Sequence, residues 1–135
     1  MKSLFLGIFF LVGCATSGML GAIPTQHEVE RWGCDPAQVA EDRAKGRAEL
    51  FEKYGEDGWQ ATPQIGWTIC KVLARVGYPY IPERIGQIER TQFGNFVTFS
   101  YYIPAHGAFD MASHGYVMFT QSGKEPWRVT SLVGF

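Results

Sequence analysis

The sequence predicts an α+β domain in which two N-terminal helices pack on one face of a three- to four-stranded antiparallel sheet. Three observations predict it. Residues 35–77 hold two segments of helical period, each with its own start and stop residues. After Ile85 the period becomes alternating, and the residues become aromatic and β-branched. Helices first and strands afterwards is the order of an α+β fold rather than of βαβ units.

The first fourteen residues stand apart from that domain. Lys2 is followed by Leu4 to Val12 without a charge, a run too short for a spanning helix, which needs about 20 apolar residues. A basic start, a core of roughly 7–15 apolar residues and a small-residue exit form a secretory signal. Leu11-Val12-Gly13-Cys14 is the bacterial lipobox pattern, so Cys14 is expected to become the first residue of the mature chain and to carry lipid. The alternative is a buried first strand with an ordinary core cysteine. The predicted organisation is therefore a lipoprotein signal peptide over 1–13, the lipidated Cys14 with a flexible tether over 14–31, and a single domain over 32–135. The tether reading rests on the small and turn-forming residues of ATSGMLGAIPTQ.

The first helix is expected over CDPAQVAEDRAKGRAELFEKYG. Asp35 is its N-cap, Pro36 its first position, Gln38 the partner of a capping box, and Gly55 its stop. Glu41 with Lys45 and Glu49 with Lys53 mark a solvated face. Val39, Ala40, Ala44, Ala48, Phe51 and Tyr54 are expected on the packed one. The second helix begins after Thr68, places Ile69, Val72, Leu73 and Val76 on one side, and ends at Gly77 and Pro79. Being about two turns long, it must dock on something else. GQIERTQ, NFVTFSYYI, GYVMFTQ and WRVTSLVGF are the strands, with Val97, Phe99 and Tyr101 on one face and Val117 and Phe119 on one face of the next. SGKEP is the turn joining the last two. Cys34 and Cys70 remain after the lipobox cysteine, and in an exported chain they are expected to form a disulfide.

The run GWTICKVLARVGYP, downstream of a lipobox and ahead of an antiparallel sheet ending in FTQSGK, resembles the SmpA/OmlA (BamE-like) family of small outer-membrane lipoproteins. Gly66, Trp67 and Thr68 correspond to the first part of the family signature, and Val76, Gly77 and Pro79 to the second. The resemblance spans residues 62–135. It implies a non-enzymatic protein held by lipid in the outer membrane, facing the periplasm and binding other envelope proteins in outer-membrane assembly or maintenance. Ala15 after the cysteine matches outer-membrane sorting in such lipoproteins. The long helix before the motif and the expected disulfide depart from the family pattern. A rival reading is an inhibitor-like or ligand-binding periplasmic lipoprotein that uses its sheet face.

Other chemistry has thinner grounds. The formal net charge is −1 and there is no basic patch, so nucleic acid is not an expected partner. His106, Asp110 and His114 recur every four residues and would line one face of a helix as metal ligands, yet Pro104, Gly107 and Gly115 favour a solvated loop. No nucleophile elbow, zinc-binding His pair or phosphate loop occurs. No metal or other cofactor is expected beyond the lipid on Cys14. Of the many aromatic residues, any left exposed on the sheet would be recognition anchors.

Overall fold

The computed structural model describes residues 21–55, 61–79, 88–91, 94–103 and 114–135. Cys14, the signal segment, His106 and Asp110 lie outside them. The described elements are α1 (Gln26–Arg31), α2 (Pro36–Tyr54), α3 (Ile69–Arg75), β1 (Glu89–Thr91), β2 (Gly94–Tyr102), β3 (His114–Gln121) and β4 (Arg128–Val133). The four strands form one antiparallel meander in the order β1-β2-β3-β4. This is the α+β arrangement expected, with one helix more.

That extra helix shortens the expected tether. Thr25 and Glu28 form a reciprocal capping box at the start of α1: Glu28 N–H donates to Thr25 Oγ1 at 3.2 Å, and Thr25 N–H donates to Glu28 Oε1 at 2.7 Å. Six residues cannot hold a helix alone, and burial of Val29 in the core fixes this one. The folded chain therefore reaches back to Gly21, and the boundary expected at Arg31 lies ten residues too far along. At α2, Asp35 caps by accepting from Ala37 N–H at 3.1 Å, so the expected box with Gln38 does not hold that end.

The packed face of α2 also differs from expectation. Val39 and Gly46 are buried and Leu50 packs against the core, whereas Ala40, Ala44, Ala48, Phe51 and Tyr54 are exposed. Gly46 decides this. A Cβ there would stand 3.1 Å from Arg75 Cγ, so the residue expected to weaken the helix leaves room for the Arg75 side chain of α3. Glu49 accordingly turns to Arg75, while Lys45 and Glu41 form the exposed pair expected.

On the sheet, Val97, Phe99, Tyr101, Val117, Phe119 and Val129 are at most 1% exposed and form one core with Ile69, Val72, Leu73 and Val76. Phe99 meets Phe119 edge-on at 4.8 Å between ring centroids, and Trp32 meets Phe99 at 5.7 Å. A bulge lets Met118 oppose Ser131 while Phe119 opposes Val129, which returns Val129 and Leu132 to the covered side. Cys34 and Cys70 are disulfide-bonded, with Cα atoms 5.6 Å apart, and this ties the entrance of α2 to α3.

Candidate functional site

Both halves of the GWT…VGYP motif sit at the ends of α3, and each does more than start or stop it. Thr68 Oγ1 accepts from Lys71 N–H at 3.2 Å, as a cap should. The same three residues also run along the outer edge of β4. Gly66 N–H donates to Val129 O at 2.9 Å, Val129 N–H to Trp67 O at 2.8 Å, and Ile69 N–H to Trp127 O at 3.2 Å. Arg128 adds a side-chain bond to Gly66 O at 3.0 Å. The motif thus covers part of an edge that would otherwise offer unpaired backbone groups.

At the other end, Gly77 has φ +106°, and a Cβ there would lie 2.8 Å from the Gly21 carbonyl. Only glycine fits that backbone and that approach. Its carbonyl accepts from the buried Tyr101 hydroxyl at 2.7 Å. Burial holds the Tyr101 phenol well above its ordinary pKa, so the hydroxyl stays protonated and remains a donor. Tyr78 N–H donates to Ala22 O at 2.8 Å, and Gly21 N–H donates to Val76 O at 2.9 Å. The helix stop, the sheet and the first described residues meet at one point.

Among the described residues, two surfaces are open to recognition. The first is the sheet face away from the helices. It presents Phe96, Thr98, Ser100 and Tyr102 from β2, and His114, Tyr116, Met118 and Thr120 from β3. Most are half-buried, but Met118 is 38% exposed and Val133, in register with Tyr116, is 58% exposed. Aromatic, thioether and hydroxyl groups side by side suit protein recognition, because rings bury large areas at low entropic cost and methionine adapts its shape.

The second is a cleft of about 310 Å³ between α2, α3 and the 61–67 segment, walled by Leu50, Tyr54 and Trp67, with Lys53, Glu49 and Arg75 among its polar groups. Arg75 donates to Asp42 Oδ1 from two nitrogens at 2.9 and 3.0 Å, and to Glu49 Oε2 at 2.6 Å. Burial works against the guanidinium charge, and the hydrogen bonds that Arg75 donates to Glu49 and Asp42 outweigh it, holding Arg75 above its usual value. The same bond to Arg75 holds Glu49 below the ordinary carboxylate value of 4.5. Lys53 lies 5.2 Å from the centroid of the Tyr54 ring, and Lys71 lies 4.9 Å from that of Trp67. The sequence reading missed this cleft. The available signal was Asp42 and Glu49, seven residues apart on one helix face, opposite an arginine in an otherwise apolar short helix.

Of the proposed metal trio, only His114 is described. It opens β3 opposite Tyr102, with ring centroids 6.2 Å apart. Among the described residues no group of three metal-ligating side chains comes together, and no helix is long and apolar enough to cross a membrane. Compared with known proteins, the chain matches no family model, no curated protein and no solved structure.

Proposed function

We propose that this is a lipid-anchored, non-enzymatic protein of the bacterial cell envelope that binds other proteins through the open face of its sheet. The binding reading is carried by one observation: Met118 and Val133 stand exposed among half-buried aromatic and hydroxyl side chains on the face opposite the core. The location rests on the sequence Leu11-Val12-Gly13-Cys14 at the end of a short apolar run. Acyl chains on Cys14 would hold the domain at the outer membrane, facing the periplasm, and raise its effective concentration for membrane-embedded partners. The SmpA/OmlA resemblance of residues 66–79 favours partners in outer-membrane assembly or maintenance.

A second reading, a ligand-binding or inhibitor-like lipoprotein, is favoured by the cleft beside Trp67 and Tyr54, whose volume falls at the lower end of the range for small-molecule sites. Crosslinking separates the two. A photoreactive residue at position 118 in the membrane-bound protein should capture integral envelope proteins. Capture of a soluble periplasmic hydrolase alone would favour the second reading. Cys14→Ser should release the protein from membranes, and its retention there would overturn the anchor.

A further inference from the structure

One sulfur stands on the open face of the sheet, that of Met118. It is the sole methionine among the described residues, and it is 38% exposed. The two described cysteines are already joined to each other. Among the described residues the Met118 thioether is therefore the sulfur left for a peroxide to oxidise.

Hydroxyl groups flank it on both sides. In the sheet register Met118 lies opposite Thr98 on β2 and opposite Ser131 on β4, both half-buried. Thr120 follows two positions along β3 on the same face. Side chains of directly opposite residues share a face, with Cβ atoms about 4.5–5.5 Å apart, a gap that a methionine side chain spans. A thioether is a weak acceptor and offers those hydroxyls little. A sulfoxide oxygen is polar, and Thr98 and Ser131 are placed to donate to it from either strand.

We propose that Met118 is an oxidation site, at which a peroxide turns the apolar anchor of the recognition face into a polar one without loosening the sheet. This rests on the reading of the open face as the binding surface. The sulfur lone pair takes one oxygen from hydrogen peroxide. The O–O bond breaks, sulfur gives up two electrons to the peroxide, and the second oxygen leaves as water. In a closed core the product would disrupt packing. On this face it meets solvent and hydroxyls, so the fold keeps its stability. A partner that would pack on the thioether meets instead an oxygen whose water must be stripped away, and binding bears that cost.

The test treats the purified full-length protein with hydrogen peroxide, removes the excess with catalase, and mixes the product with detergent-solubilised envelope membranes. Fragment mass spectra should place an added oxygen on Met118. The urea midpoint should stay where it was, whereas in Thr98→Val with Ser131→Ala the same oxidation should lower it. Capture of integral envelope proteins by a photoreactive residue at position 116 should fall several-fold. Met118→Leu, which keeps an apolar side chain, should retain capture after peroxide. Equal loss in Met118→Leu, or full capture by protein oxidised at Met118, would overturn the oxidative control and leave the binding face standing. A midpoint lowered by oxidation of the unsubstituted protein, or unmoved by it in the doubly substituted one, would overturn the part given to Thr98 and Ser131. Untreated protein that captures nothing from position 116 would overturn the binding face and its oxidative control together.

Discussion

Tyr101 and Tyr102 are neighbours on β2 with opposite roles. Tyr101 is fully buried on the helix side, its ring against Phe135 and its hydroxyl spent on Gly77 O. Tyr102 is half-buried on the other face, across from His114. The same contrast runs along the sheet, from Val97, Phe99 and Phe119 on one face to Thr98, Tyr116 and Met118 on the other. Strand alternation alone provides the two faces; what separates them is that the covered face is closed by α3 at both of its ends. A buried polar group is tolerated there because the helix stop supplies an acceptor. The covered side is where stability resides, and the open side is where substitutions should be read in binding.

The sharpest way to break that contrast is Phe99→Ala. The ring packs edge-on against Phe119 and Trp32 with no exposed surface, so its loss should lower unfolding free energy by about 3–5 kcal/mol. Denaturant titration reads it directly. A loss below 1 kcal/mol would mean that the covered face is not the stabilising one. Next is the disulfide. Its cysteines are 36 positions apart, and the double change Cys34→Ser with Cys70→Ser should cost about 3–4 kcal/mol on the chain-entropy account. Unchanged stability would show that α2 and α3 hold together without it.

Gly77→Ala attacks the closure itself. The added methyl would need a positive φ and would press on the Gly21 carbonyl, so a cost of about 1–3 kcal/mol is expected. Protection of the Gly21 and Tyr78 amides from hydrogen exchange should fall before that of β3, because their bonds join elements across the stop. Equal loss at both places would mean that this junction does not open separately.

What the sequence made legible follows the same division. The alternating residues on β2 and β3, the Asp35 and Thr68 caps and the stop at Gly77 are local signals, each readable within a few positions, and all are present in the fold. The misreadings required partners distant in sequence. Phe51 and Tyr54 belong to the packed face by their hydrophobicity, but the contact with Arg75 at Gly46 sets which side of α2 turns inward. Residues 21–31 read as a connector because α1 has little apolar surface of its own, and it is held by Val29 and by the bridge from Ala22 to Tyr78. The edge pairing of Gly66–Thr68 with β4 is likewise a contact some sixty residues apart that no local pattern encodes. The open face was anticipated as the surface to watch, but its membership became definite only with the strand register.

A smaller effect is expected at the ion pairs of Arg75. Glu49 has its carboxyl depressed by the bond to Arg75, so its contribution to stability is present above the ordinary value of 4.5 and is lost as pH falls through the lower folded value. Glu49→Gln should remove that part of the acid-side slope while leaving stability at pH 7 only slightly reduced, because Glu49 is exposed and its pairing is screened by salt. Parallel pH titrations of the two proteins by denaturant would show it, and identical slopes below pH 5 would assign the dependence to other groups.

The smallest stability change should come from the open face, and there the contrast with Phe99 is tested most cleanly. Met118 is 38% exposed and lies one residue from the fully buried Phe119. Truncating it removes contacts that already face solvent, so Met118→Ala should shift unfolding free energy by no more than about 0.5 kcal/mol. If this face recognises a partner, the same substitution should lower partner crosslinking from a reporter at Tyr116 far more than it lowers stability, since truncating a central anchor in an interface has a large effect on binding. A protein that keeps full crosslinking with Met118→Ala and with Val133→Ala, yet loses it when Trp67 is changed, would move the binding site from the sheet to the cleft. One that loses stability as heavily at Met118 as at Phe99 would show that the outer face is packed as firmly as the inner one.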